Sequence, residues 1–470
     1  MATFQIEDSP IWAEVKNITK SGPNPIKFEY KGMVHNEKED IPILKIVSID
    51  VMRDYVNNIG DRRVIEFKVG MGDYQARIYP YRTNLEFSIK KIQLKESTGS
   101  KDPNAKQVIE RFKAVFMPKA NPHMATTELS MIDIESLNKT DFVSCKLELL
   151  DRSLEPLRIK MVTGVFRNVT AKQIIVSVLG GESQKVQVDG KSSIDGIDVV
   201  EPDNASISNH IVLKDGLHIT ALPTFLQEYM NGDYNAGIGT YLQTYNNMKI
   251  WFVYPLFNTE RFNNDLNRVV FYSIPQEKLP GIDRTYQVDG SLVKILVNST
   301  RKYKDAAETD YMNHGVGFRQ ANANSFMKKP VQMTDKGPVG TRTNLVNEVA
   351  ITNRNDGLNY APVVSDSISS NPFREYSKVL ARAVSRIDLV WENGNADLIY
   401  PGMPCKYVFL NNKNVPVELL GCILSIHSFT SMQDMGIANN IYKNVCHMTI
   451  VVTPESSQPT VPTTKPVGDF

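Results

Sequence analysis

Apolar side chains recur at every second position through much of the first third of the chain. Ile65, Phe67 and Val69 do so, then Leu85, Phe87 and Ile89, then Phe112, Ala114 and Phe116. Val143, Cys145, Leu147 and Leu149 follow, and then Leu157, Ile159 and Met161. Period-two alternation predicts strands with one buried face. Gly70-Met71-Gly72-Asp73 separates the first set from Tyr74, Ala76 and Ile78, and predicts a hairpin with a glycine turn. Many short strands with turn residues between them point to a sandwich or a barrel.

The period changes at Thr170. Thr170-Ala171-Lys172-Gln173 has the capping-box pattern, in which the threonine hydroxyl accepts from the third helical N–H. Ile174, Ile175, Val178 and Leu179 then share one helical face, and Gly180-Gly181 offers a stop. A second helix is expected from Pro223 to Met230, ended by Asn231-Gly232. Residues 251–257 and 269–274 read as strands. The run from Lys302 to Ser370 is polar and rich in Gly and Asn, so it reads as an arm ordered by partners. Asn371 and Pro372 form the start of a further helix carrying Phe373, Tyr376, Leu380, Ala383 and Val384. Alternation then returns at Cys405, Tyr407 and Phe409, at Val415, Val417 and Leu419, at Leu424 and Ile426, and at Met448, Ile450 and Val452.

Composition narrows the function. The 470 residues carry 53 basic and 52 acidic side chains, a net charge of +1. Such a balance disfavours a protein whose main task is gripping nucleic acid, and equally an acidic disordered chain. At roughly 150 residues per domain the length suggests about three domains. Cys145, Cys405, Cys422 and Cys446 stand singly, with no CxxC pair, and read as buried thiols. The N-terminal residues show no signal-peptide pattern, and no apolar run is long enough to span a membrane as a helix, so no membrane-spanning segment is expected.

Catalytic and metal patterns are missing. Gly190-Lys191-Ser192 imitates the end of a P-loop, but Lys185 stands where the first glycine belongs and extended sequence follows. The seven histidines form neither HxxxH nor HExxH. Cys446 and His447, adjacent on a strand, would point to opposite faces. His427 reads as a satisfied strand residue. No GxSxG elbow occurs. The expectation is therefore no enzyme, with no catalytic, cofactor-binding or metal residues assigned and no cofactor.

Two segments echo each other. CKLELLDRSLEPLRI begins at Cys145 and CKYVFLNNKNVPVEL at Cys405, and they align without a gap. Cys145/Cys405, Lys146/Lys406, Leu150/Leu410 and Pro156/Pro416 coincide. Three polar residues mark each turn, Asp151 to Ser153 and Asn411 to Lys413. Two unrelated hairpins would explain this, and so would one β-unit used twice.

The stretch from Asn371 to Phe429 runs helix, strand, the turn Pro401-Gly402-Met403-Pro404, a hairpin with a polar tip, and a strand opening at Gly421. This order resembles the C-terminal barrel region of tail-hub proteins of contractile-tailed bacteriophages. FVSCKLELLDRSLEPLRIKMVTGVFRNVTAKQIIVSVL resembles that family's first barrel and following helix. LPTFLQEYMNGDYNAGIGTYLQ and MKIWFVYPLFNTERFN resemble its middle portion. The likeness is one of layout, and covers more than half of the chain.

The resemblance implies a mainly β fold with α+β parts: two tail-tube-like β-barrels plus smaller helical and mixed domains. It divides the chain into an N-terminal arm (1–40), a first tube-like barrel (41–166) and a helical, mixed connecting domain (167–250). Strands for the second barrel or middle domain follow (251–301), then the polar insertion or interaction arm (302–370). A second tube-like barrel with its leading helix (371–455) and a Pro/Thr-rich C-terminal tail (456–470) complete it.

The implied role is structural. It is a homotrimeric, pseudo-sixfold hub ring that adapts the symmetry between a sixfold tail tube and a threefold central spike in the virion baseplate. The implied partners are the tail tube protein, the central spike protein, other baseplate proteins and transiently passing phage DNA. The implied place is the virion, assembled in the host cytoplasm. Alternatives are another tail scaffold protein (a tube terminator or wedge component), a virion-associated cell-wall hydrolase, or a glycan-binding module. The last would use Tyr234, Tyr241 and Tyr245, residues that read more naturally as core or interface.

Overall fold

The computed structural model describes residues 10–20, 27–94, 107–117, 142–230, 232–275, 283–304, 318–320, 332–333, 341–342, 349–351, 361–362, 385–411, 415–432 and 442–452. The helix expected at Asn371, most of the 302–370 arm, the hairpin tip at residues 412–414 and the 456–470 tail lie outside them. The fold is mainly β with α+β parts.

A helix, Pro10–Thr19, opens the chain. Seven strands follow: β1 (Lys27–His35), β2 (Asp40–Pro42), β3 (Lys45–Asp54), β4 (Arg62–Gly70), β5 (Leu85–Leu94), β6 (Gln107–Phe116) and β7 (Phe142–Leu150). The expected glycine hairpin after β4 is instead a helical run, Met71–Asp73, Tyr74–Ile78 and Tyr79–Tyr81. Tyr74 and Ile78, four residues apart, are buried while Ala76 between them is exposed, and Arg77 pairs with Asp73 at 2.7 Å. Helical spacing and an i,i+4 ion pair override the local alternation.

The expected strand through Leu157, Ile159 and Met161 is also corrected. Asp151 accepts the Ser153 N–H at 2.8 Å, and a helix, Leu154–Ile159, follows that turn. It buries Leu154 and Leu157 and leaves Ile159 exposed. The echo between Cys145 and Cys405 therefore holds for the first limb alone, where both cysteines are buried on strands.

The middle region comprises β8 (Met161–Val169), the tiny hairpin β9 (Gln187–Val188) and β10 (Lys191–Ser192), β11 (Gly196–Val199), β12 (Ser208–His218), β13 (Ile238–Tyr245) and β14 (Met248–Pro255). The capping box forms as expected: Gln173 N–H donates to the Thr170 hydroxyl at 3.2 Å, and Thr170 N–H to Gln173 Oε1 at 2.9 Å. The helix does not stop at Gly180-Gly181. It continues to Gln184 with a wide π turn at Ile175–Gly180. Gly180 sits against Ile197, where a Cβ would stand 3.1 Å from its methyl, so this glycine serves close packing. The helix Leu222–Tyr229 matches expectation.

The rest of the chain supplies β15 (Arg268–Ser273), β16 (Tyr286–Asp289) and β17 (Leu292–Lys304), then five short strands. These are β18 (Phe318–Gln320), β19 (Gln332–Met333), β20 (Thr341–Arg342), β21 (Val349–Ile351) and β22 (Ala361–Pro362). Four longer strands follow: β23 (Ser385–Glu392), β24 (Pro404–Leu410), β25 (Pro416–Met432) and β26 (Tyr442–Val452). The two expected strands around Gly421 are one, the 17-residue β25. Gly421 lies inside it because the Val451 carbonyl oxygen comes so close that a Cβ would stand 2.1 Å away.

Two circuits of strand pairing close. The first runs β3-β4-β7-β6-β5-β1-β26-β25 and back to β3, with β1 and β26 joined at Phe28 and Tyr442. The second runs β25-β24-β15-β17-β23-β26 and back to β25. β25 and β26 belong to both. Residues 416–422 of β25 pair with β24, and residues 425–431 pair with β3. The strands of the first circuit begin at Lys27 and, before β25 and β26, end at Leu150. β8 instead forms a separate two-stranded ribbon with β12.

Each circuit encloses a core. The first holds Ile65, Phe67, Phe87, Phe112, Cys145 and Leu147, and the second holds Val269, Phe271, Ile295, Trp391, Tyr407 and Ile450. The hairpin β13–β14 is buried on both faces. Tyr241, Phe252 and Tyr254 join the second barrel's core, while Leu242, Trp251 and Val253 join the core under the middle helices. The N-terminal helix lays Ile11, Val15 and Ile18 on the outside of the second barrel, against Val270, Leu296 and Val408, with Glu14 and Lys294 2.8 Å apart.

Candidate functional site: the junction of the two barrels

On β3 the buried parity of Ile49 continues to Arg53, a charged residue pointing into the first barrel, where it is 3 % exposed. Its Nη1 donates to the Ala396 carbonyl at 2.7 Å and its Nη2 to Asp397 at 3.0 Å. Its Nε donates to Asp61 at 3.3 Å. Arg63 on β4 donates to Asp61 at 2.9 Å and to Glu110 on β6 at 2.5 Å. Lys91 on β5 donates to Asp397 at 2.8 Å and to Asn395 at 3.2 Å.

Asn395 to Asp397 belong to the turn leaving β23, so a piece of the second barrel plugs the mouth of the first. The middle hairpin completes the seal. Tyr241 donates to Asp61 at 3.1 Å, and Gln243 donates to the Ile399 carbonyl at 2.7 Å while accepting from Tyr55 at 3.2 Å. A cavity of about 220 Å³ remains between Tyr30, Arg53, Lys91, Asp397, Thr430 and Asn444.

Electrostatics follow from this packing. Lys91 and then Arg53 hold the half-exposed Asp397 carboxyl well below the usual carboxylate range. Burial pulls the Lys91 ammonium down, but Asp397, helped by Tyr30 and Tyr286, outweighs it and its pKa rises. Burial likewise opposes the charge on Asp61, and Arg53 and Arg63 overcome it, so its pKa is lowered. Every charge faces an opposite one. Breaking one partner of such a network is costly, so the arrangement fixes three parts of the chain in one geometry.

The first barrel presents a different surface outside. Across β25, β3, β4 and β7, His427 Nε2 lies 2.5 Å from Asp50, Arg62 2.9 Å from Glu148, and the Ser144 hydroxyl donates to Glu66 at 2.9 Å. Lys68 stands over the Phe142 ring at 4.7 Å. Polar and charged cross-strand pairs of this kind suit a sheet face that stays in water.

The residues weighed in the sequence fall as follows. Asp189 and Gly190, both with positive φ, form the tight turn between β9 and β10, so Gly190-Lys191-Ser192 is a hairpin and no phosphate cradle. His427 is held by Asp50, and its ring centroid is 6.4 Å from that of His447. Cys446 is buried while His447 is exposed, as adjacent strand positions require. Tyr234 and Tyr241 are core residues, and Tyr245 packs edge-on against Tyr400. All four cysteines are buried free thiols. Among the described residues no group of three His, Cys, Asp or Glu could hold a metal, and no helix is long and apolar enough to cross a membrane. The Arg53 network was missed. Its signal was the parity of β3, which carries an arginine onto the buried face.

No protein-family model matches the chain, and no curated protein sequence matches it. Solved structures similar to it are phage-tail and secretion-system proteins. One is the 43 kDa tail protein of prophage MuSo2 from Shewanella oneidensis, at 10 % identity and a TM-score of 0.45, covering 90 % of this chain and 98 % of that one. Another is a type VI secretion component of E. coli, described as structurally similar to the T4 tail proteins gp27 and gp5. It stands at 9 % identity and a TM-score of 0.40, covering 91 % and 80 % of the two chains. A PdpA–VgrG complex matches at 8 % identity and a TM-score of 0.42, covering 93 % and 68 %.

Proposed function

We propose that this chain is a structural protein of a phage tail baseplate, and that three copies form a pseudo-sixfold hub ring. The observation that carries the reading is the pair of closed barrels joined by two continuous strands within one chain. Two similar but non-identical units per chain, used three times, give a ring of six lobes that keeps threefold symmetry. Such a ring joins a sixfold tube on one side to a threefold spike on the other. Cyclic assembly needs head-to-tail contacts that close. The resemblance in layout to tail-hub proteins supports the same reading.

In this reading the plugged junction sets the angle between the two lobes. The polar face of β25, β3, β4 and β7 looks into the channel, where paired charges let DNA pass without tight binding. The role is non-enzymatic and needs no cofactor, and the protein is assembled into the virion beside other baseplate proteins. Electron microscopy of the purified chain, and of the particle that carries it, tests this. Views down the long axis should show a three-fold ring with six similar lobes around a hole. A compact monomer with no copy at the tail tip overturns the reading.

A further inference from the structure

β6 is only half paired on one side. Residues 107–114 pair with β5, but β7 meets β6 only from Lys113 to Phe116. Among the described residues the β7-facing edge from Gln107 to Phe112 has no strand beside it. It faces an open cleft of about 440 Å³, whose far wall is Leu242, Gln243 and Thr244 of β13. This edge contains no proline, and Ile109 on it is 65 % exposed. An unpaired edge is a template for another strand.

The charges of the cleft are uneven. Asp61, Glu110, Asp151 and Asp195 line it against Arg63, Arg111 and Lys249. Arg63 serves Asp61 and Glu110, Lys249 serves Asp151, and Arg111 turns away to Glu86 at 2.5 Å. The Asp195 carboxylate accepts the Lys249 backbone N–H, and among the described residues no cationic side chain forms an ion pair with it. The cleft calls for an extended segment with a basic side chain.

The chain owns such a segment. The β8–β12 ribbon has no further strand on either edge among the described residues. Its outward alternating positions on β8 are Met161, Thr163, Val165 and Arg167, with His210 opposite Arg167 and Val212 opposite Val165. None is acidic, and Met161 and Val165 are 59 % and 60 % exposed.

We propose that the ribbon of a second copy adds edgewise to β6, placing its cationic, apolar face over the Asp195 side of the cleft. The contact joins different surfaces of the two copies, so it is head-to-tail and propagates until the ring closes. This rests on the hub reading and names its interface.

Disulfide trapping tests it, because the four native thiols are buried and only introduced cysteines are accessible. The variant with both Ile109→Cys and Val165→Cys should, on mild oxidation, give a covalent ladder that ends at three copies. Each single variant should give at most a dimer. Light scattering and circular dichroism on the reduced proteins establish mass and folding for the same samples. A trimeric mass with no ladder overturns the interface and leaves the hub reading standing. A faster-migrating monomer also overturns it, since the ribbon then meets β6 of its own chain. A monomeric mass with no cross-link overturns both.

Discussion

Replacing Asp233 by asparagine should make the chain more stable in alkaline buffer and leave it almost unchanged in mild acid. Asp233 follows the helix Leu222–Tyr229 and is 1 % exposed. Its backbone is pinned: Gln227 accepts the N–H groups of Asp233 and Tyr234 at 2.8 and 3.0 Å, and donates to the Tyr234 carbonyl at 2.8 Å. Both carboxylate oxygens are buried, with no hydrogen-bond partner among the described residues. Burial, only partly offset by Lys172, pushes the carboxyl up from 3.8 to about 7. The native state therefore holds a proton that the unfolded chain gives up near pH 4. Stability falls as pH rises between these values, by about 1.4 kcal/mol per unit, and levels off above pH 7. Over about three units the loss is on the order of 4 kcal/mol. Asp61 and Asp397 are held low, so they lose stability only in stronger acid and leave the window from pH 5 to 8.5 clear.

The assay is urea unfolding at pH 5 and pH 8.5, followed by fluorescence. Trp251, buried in the same cluster as Tyr234, reports on this region. The wild-type midpoint should drop at the higher pH, and the Asp233→Asn midpoint should drop much less. Comparing the two isolates Asp233 from Glu260, whose carboxyl burial also raises. A wild-type midpoint that holds or climbs, or a variant that is the weaker protein at pH 8.5, would refute the reasoning.

Other substitutions probe the junction and the core. Arg53→Met removes the cation shared by Asp61 and Asp397 and should cost roughly 3–5 kcal/mol, read as an early transition in Trp391 fluorescence. Equal unfolding curves would show that the plug contributes nothing. Gly421→Ala forces a Cβ onto the Val451 carbonyl and should destabilise by about 1–3 kcal/mol or more, checked by the yield of folded protein and its melting temperature. The four thiols should resist a disulfide reagent at pH 8 until the chain is unfolded. Burial pushes Cys145, Cys422 and Cys446 up to about 12 and Cys405 well above its ordinary value, so thiolate is scarce as well as hidden. Rapid labelling of the native chain would contradict that.

Local pattern carried the strands well where a single face is buried. Val143, Cys145, Leu147 and Leu149 could be read directly, as could the Thr170 capping box, because each signal spans only a few residues. It failed where two periods overlap: Tyr74 and Ile78, or Leu154 and Leu157, satisfy a helix as readily as alternation satisfies a strand. It could not show that β25 pairs with β3, since Ser425 opposite Asp54 is a contact across most of the chain. The charged plug was hidden for a related reason. Taken one at a time, Arg53, Lys91 and Asp397 are ordinary charged residues in the sequence, and only the closure of the barrel makes them neighbours.

Sharing β25 and β26 also orders events in time. The other strands of the first barrel leave the ribosome early, but the two that close it are made near the far end of the sequence. Until then that barrel is an open sheet with its edges waiting, and the second barrel lacks the same two strands. A product cut short before Pro416 completes neither barrel. Closure therefore acts as a length check: one late hairpin finishes both barrels together.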